Sequence, residues 1–185
     1  MDNVSLERLS QVHPLLQQKI HAMDEALTAQ GIVLRVVQGL RTAEYQDHLY
    51  AKGRTDASLR AQGFSEALIA EINADDPHHD TEERVTNARG GYSMHNFGLA
   101  VDCVPGLRGV DPWAPNWDAK HPDFLAMIAA GETQGLVCGA NWTSIPDAPH
   151  FQLAGIPVTP NNAMRTMLAQ RGMQAVWDTI PPEVV

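Results

Sequence analysis

Every run in this chain that could pair as a strand is short. Ile32–Val37, Leu99–Val104, Leu136–Cys138 and His150–Leu153 stand far apart in the sequence, separated by helical patterns or by stretches broken with Gly and Pro. Short strands interleaved with helices favour a small antiparallel sheet with helices packed on it, an α+β fold. The helical signals are clear. Ser5 can cap a first short piece carrying Leu6 and Leu9. Pro14 suits the opening of a longer piece, in which Leu15, Leu16, Ile20, Met23 and Leu27 recur at mostly three- and four-residue steps before Gly31. Thr42 caps a helix near Ala43–Ala51. Residues 56–73 read as short helices split at Gly63, with Ser65 as the second cap. Pro122 opens a helix to about Gln134, and Pro160 opens a last one to about Gln170. Residues 74–91 are polar and read as a loop, and residues 105–120, rich in Pro and Trp, read as a structured loop. With 185 residues, 44% of them hydrophobic, and no linker or repeat, the chain is expected to form one domain over 1–185.

Charge narrows the partners. A formal net charge of -9 gives no general attraction to nucleic acid or to an anionic membrane. No apolar run approaches the roughly 20 residues of a membrane span. The opening Met-Asp-Asn-Val-Ser has neither a basic nor an apolar signal region. The expectation is synthesis in the cytoplasm without a signal peptide, so that action outside the cell needs release by another factor. Cys103 and Cys138 are too few for a disulfide scaffold and read as buried free thiols, unless the fold brings them together as a pair.

Three stretches carry chemistry. The first is Ser93-Met94-His95-Asn96-Phe97-Gly98-Leu99-Ala100-Val101-Asp102. A carboxylate within a buried strand is costly unless paired or metal-bound, so Asp102 is either bonded to backbone or Arg, or a metal ligand. The second is Asp147-Ala148-Pro149-His150-Phe151. Two His and one carboxylate with an open fourth position make a catalytic zinc site, and a further carboxylate nearby can act as base. Read alone, Asp147 is better taken as a proline-turn residue. The third is Gln38-Gly39-Leu40-Arg41-Thr42-Ala43-Glu44-Tyr45-Gln46, where Arg41 passes from a strand end to a helix start. It could stabilise an oxyanion, or simply sit on the surface. His78 and His79 lie in the polar loop and are expected to be exposed. Trp142 is either a core aromatic or a cleft wall.

Together these residues resemble the zinc D-alanyl-D-alanine peptidases, a family that includes D-Ala-D-Ala carboxypeptidases, vancomycin-resistance dipeptidases and phage L-alanyl-D-glutamate endolysins. The resemblance rests on Ser-x-His-x-x-Gly-x-Ala-x-Asp at Ser93–Asp102 and Asp-x-Pro-His at Asp147–His150. Gly39-Leu40-Arg41-Thr42, Gln46 and Leu49-Tyr50-Ala51-Lys52-Gly53-Arg54-Thr55 look like the endolysin branch, as do Val85-Thr86-Asn87-Ala88 and Trp142. It covers roughly residues 10–155. It implies the hedgehog/D-Ala-D-Ala peptidase-like fold, with a zinc cleft over the sheet. His95, Asp102 and His150 match the ligands of one Zn2+. Asp147 matches the catalytic acid/base, and Arg41 the arginine that polarises the scissile carbonyl. Ser93 matches a substrate-contacting serine, while Gln46 and Trp142 fall at cleft positions. Residues 56–83 form an insertion relative to the compact endolysin pattern. The implied activity is zinc-dependent cleavage of a peptidoglycan stem peptide by a monomer, with L-Ala-D-Glu as the favoured bond and D-Ala-D-Ala carboxypeptidase activity as the alternative. A non-catalytic zinc-binding module is the rival from another class.

Overall fold

Asp2, not Ser5, caps the first helix, α1 (Asn3–Ser10): its Oδ1 accepts the Ser5 N–H at 2.7 Å. Ser5 is buried instead, and its Oγ accepts the Val36 N–H at 3.0 Å, tying α1 to the first strand. Ser5→Ala would leave that buried N–H without an acceptor. The expected cost is about 1–3 kcal/mol, read as a lower urea midpoint at unchanged slope. Helix α2 (Pro14–Thr28) opens on Pro14 as expected, and buries Leu16, Ile20, Met23 and Leu27. Strand β1 (Leu34–Gln38) follows, then α3 (Ala43–Ala51), capped by Thr42.

The computed structural model describes residues 1–109, 111–143 and 146–182. Within the expected insertion, α4 (Asp56–Ala61) and α5 (Glu66–Asp75) are capped by Thr55 and Ser65. They close a small apolar cluster of their own, Leu59, Phe64, Ile69 and Ile72, against Tyr50 and Ala51 of α3. His79 is a correction. It is 2% exposed, because Nδ1 bonds Asp76 O at 3.1 Å and Nε2 approaches Asp56 at 3.7 Å, whereas its neighbour His78 is exposed as expected.

Strand β2 (Ala100–Leu107) runs past Pro105-Gly106, and β3 (Asp111–Pro115) pairs with it, so the region read as a loop holds an antiparallel ladder. Pro105 can stand in β2 because a proline lacks only the N–H; its carbonyl still accepts the Asn116 N–H at 2.8 Å. After α6 (Pro122–Thr133), β4 (Leu136–Cys138) and β5 (His150–Leu153), the chain ends in α7 (Asn162–Arg171) and α8 (Met173–Trp177). Asn161, not Pro160, sets the start of α7, and the second terminal helix was not anticipated. Among the described residues the sheet has five strands in the order β1-β2-β5-β4, with β3 beside β2 and all pairs antiparallel. The α+β expectation holds. The main core lies between this sheet and the helices, around Leu34, Val36, Val101, Phe124, Phe151 and Ile20. Cys103 and Cys138 are buried free thiols. Burial pushes both up, Cys138 to about 12, which keeps them protonated and inert. No helix among the described residues is long and apolar enough to cross a membrane.

Candidate metal centre

Sheet register assembles the site. Asp102 of β2 stands opposite His150 of β5 on one side and opposite Gln38 of β1 on the other. Residues directly opposite in an antiparallel pair project to the same face. His95 arrives from a 3-10 turn, Met94–Phe97, just before β2. Ser93 caps this turn by accepting the His95 N–H, and the Asn96 side chain returns to the Ser93 N–H at 3.3 Å. Gly98 follows with φ +61°, a conformation that favours glycine and that turns the chain into β2. Helix α8 braces the turn from behind, with the Trp177 indole N–H donating to Phe97 O at 2.8 Å.

The result is a triangle of donor atoms. His95 Nε2 lies 3.1 Å from Asp102 Oδ1 and 3.2 Å from His150 Nδ1, and His150 Nδ1 lies 3.4 Å from Asp102 Oδ1. The far sides of the two rings decide what these atoms are. His95 Nδ1 faces Gly39 O at 2.9 Å, so that nitrogen carries the proton. Gln152 donates its amide to Val158 O at 3.2 Å, which turns Oε1 toward His150 Nε2 at 3.0 Å, so that nitrogen carries the proton too. The two inner nitrogens are then lone pairs, and both face a carboxylate. Three acceptors within 3.4 Å of one another repel unless a cation joins them. A tetrahedral ion with bonds of about 2.0–2.1 Å holds its ligand atoms about 3.3–3.4 Å apart. These three residues therefore fit a metal ion, and among the described residues they are the only such His/Cys/Asp/Glu group.

Burial opposes the ionised form of Asp102, yet His95 and His150 outweigh it and hold this carboxyl far below the usual range. Burial likewise opposes charge on His150, but its bond to Asp102 raises its affinity for a proton above the ordinary value. Both shifts come from the close approach of one carboxylate and two imidazoles in a buried site.

Asp102 spends its second oxygen on Arg41, whose Nη2 donates to Oδ2 at 3.2 Å. Nη1 donates to Gln46 Oε1 at 2.8 Å, and Gln46 Nε2 donates to Ala88 O at 2.7 Å. Gln46 is fully buried, and both ends of its amide have partners within the protein, so it orients Arg41. Arg41 Nε is buried and has no partner among the described residues. The backbone ties the same groups together: Arg41 N–H donates to His95 O at 3.0 Å, and Asn96 Nδ2 to Arg41 O at 3.0 Å.

Asp147 is half-buried at the turn into β5. Its N–H donates to Gly139 O at 3.0 Å, and its carbonyl accepts the His150 N–H at 3.1 Å. Gly139 permits this turn, since a Cβ there would stand 2.5 Å from Asp147 O and 2.9 Å from His150 Cβ. Burial and the negative charge of Asp102 raise the Asp147 pKa, against His150, His95 and Arg41. The Trp142 ring lies 4.8 Å from the His150 ring, at the edge of the cluster.

Gln152 was not anticipated, although strand periodicity could have found it: two residues beyond His150, it shares that face of β5. Gln152→Leu removes the acceptor that fixes the His150 tautomer. Metal affinity is expected to fall about 10–100-fold, measured by competition with a chromophoric chelator, while Gln152→Glu retains most of it.

A buried His/Asp/His triangle beside a carboxylate and an arginine, on a small antiparallel sheet, is the centre of a metallopeptidase. A family model described as D-alanyl-D-alanine carboxypeptidase, VanY, matches residues 9–112, and a second of the same description matches residues 86–153. The chain belongs to this family of peptidoglycan-acting metallopeptidases. It is 28% identical to the peptidoglycan L-alanyl-D-glutamate endopeptidase CwlK of Bacillus subtilis (strain 168), over 78% of this chain and 74% of that protein. Among solved structures, the Serratia marcescens L-Ala D-Glu endopeptidase ChiX is 24% identical, with a TM-score of 0.45, over 83% of this chain and 89% of that one. A mutant of the vancomycin-resistance D,D-pentapeptidase VanY, crystallised with Zn(II), is 20% identical with a TM-score of 0.40, over 86% and 79%.

Proposed function

We propose that this chain is a zinc-dependent peptidase that cuts the L-Ala-D-Glu bond of the peptidoglycan stem peptide. The observation that carries the metal is the convergence of two imidazole lone pairs and a carboxylate oxygen within 3.4 Å. The nitrogen and oxygen donor set suits zinc. The choice of bond is supported by the similarity to CwlK over most of both chains.

A zinc ion held by His95, Asp102 and His150 would supply Lewis acidity, polarising the scissile carbonyl and acidifying a water. Asp147 takes the proton of the attacking water, which needs an ionised carboxylate with a raised pKa so that the proton can be passed on. It then delivers that proton to the leaving amine, and the C–N bond breaks. Arg41 is held in place by Asp102 and Gln46, and its positive charge opposes the negative charge that builds on the carbonyl oxygen. Trp142, beside His150, and Ser93, at the His95 turn, contact the peptide.

The test is digestion of purified peptidoglycan with mass analysis of the products. New D-Glu N-termini are expected. Released D-Ala without them would select the carboxypeptidase reading, which the description of the matching family models favours. An intact wall with stoichiometric zinc bound would leave only a binding module.

A further inference from the structure

Tyr92, 41% exposed, has two guanidinium groups against its ring. Arg165 Cζ stands 4.1 Å from the ring centroid and Arg89 Cζ 5.4 Å. Two like charges on one ring repel, and among the described residues neither forms an ion pair with a carboxylate. Asp47 lies near enough to feel the charge of Arg89, but its carboxylate is half-buried and accepts the Gly90 N–H at 2.7 Å. Neutral carbonyls hold both side chains. Arg89 Nη1 donates to Gln62 O at 2.7 Å, and Arg165 donates to Pro160 O and to Asn162 Oδ1. Each guanidinium carries five N–H donors, so most remain for a ligand. In a chain of net charge -9, this is a built and unneutralised positive patch.

The patch adjoins the metal centre. Tyr92 precedes His95 by three residues, so their Cα atoms lie within about 10 Å. Ser93, between them, caps the His95 turn, and the Gly91 N–H donates to the Asn96 side chain at 2.9 Å. A peptide held with its scissile bond at the metal centre therefore passes within side-chain reach of the patch in its first residue or two. Immediately after an L-Ala-D-Glu bond, the stem peptide carries a carboxylate, the free α-carboxyl of the γ-linked D-Glu, unless it is amidated. Guanidinium and carboxylate pair through two parallel charge-assisted hydrogen bonds.

We infer that Arg89 and Arg165, held against Tyr92, form a subsite that recognises a carboxylate on the leaving-group side of the stem peptide. The inference rests on the endopeptidase reading above. It also gives the 56–83 insertion a task. Arg89 is fixed by Gln62 and lies 5.9 Å from the Phe64 ring, both on the segment between α4 and α5, so the insertion buttresses one arm of the subsite.

Two synthetic stem peptides test it, one with the D-Glu α-carboxyl free and one with it amidated. The zinc-loaded enzyme should favour the free acid by roughly tenfold or more in kcat/KM, mostly through KM. Arg89→Gln and Arg165→Gln should each erase most of that preference, with zinc content, melting temperature and activity on the amidated peptide unchanged. Should one variant fold poorly, the other carries the same reading. Equal losses on both peptides, or a wild-type enzyme indifferent to amidation, would overturn the subsite. If neither peptide is cut, the bond assignment fails instead. Calorimetric binding of the two intact peptides then decides the subsite alone: preference for the acid, lost in both variants, supports it, and equal affinity rejects it.

Discussion

Asp147→Asn is expected to lower kcat by about 10²–10⁴-fold while zinc content and peptide affinity stay near wild type. Asparagine preserves shape and can still fill the turn, since the turn is made by the Asp147 N–H and carbonyl with Gly139 and His150. What it loses is the ability to take a proton from water and return it to the amine. The residue is suited to that exchange because burial and Asp102 raise its proton affinity, outweighing His150, His95 and Arg41. Steady-state kinetics on a stem peptide, together with metal analysis of the same preparation, would measure it. A variant that keeps full kcat, or that loses its zinc along with its activity, would remove Asp147 from the role of base.

Asp102→Ala should do more, because that carboxylate serves three groups at once. Its Oδ1 completes the donor triangle and its Oδ2 holds Arg41 at 3.2 Å. Alanine leaves two imidazole lone pairs facing each other and a guanidinium only 11% exposed without its anion. Removing one partner of a buried ion pair costs about 3–5 kcal/mol. The expected result is sub-stoichiometric zinc, no measurable hydrolysis, and a melting temperature that no longer responds to a chelator. Wild-type protein should show the opposite pattern, with activity lost in chelator, restored by zinc, and a melting temperature that falls when the metal is withdrawn. Stoichiometric zinc in Asp102→Ala would refute the ligand assignment.

The positions with chemistry were legible because their costs are local. A carboxylate among Leu99, Ala100, Val101 and Cys103 had to be compensated whatever the fold, and helix starts are marked locally, by Thr42 and Ser65 through capping bonds that reach only a few residues and by Pro14 and Pro122 through a fixed φ and a missing N–H. Ser5 shows where local signals end. Its hydroxyl can cap a helix or serve a strand, and the choice fell to Val36, 31 residues away. His79 was misread for a related reason. Its polar neighbours suggested solvent, while the side chain folds back under the α4–α5 cluster. Residues 105–120 looked irregular because proline argues against a strand, but an N–H that faces no acceptor is not missed.

By itself, the sequence determined the α+β class, the helix starts and the identity of the candidate donors, since propensity, capping and burial cost act over a few residues. The tertiary structure alone decided that Asp102 stands opposite His150, that Gly39 and Gln152 aim the two imidazoles inward, and that Arg41 is held by both Asp102 and Gln46. The sheet register and the orientation of the His95 ring depend on contacts between residues far apart in the chain, Asp102 with His150 and His95 with Gly39. No local pattern encodes which of several neighbouring residues will face one another across a sheet.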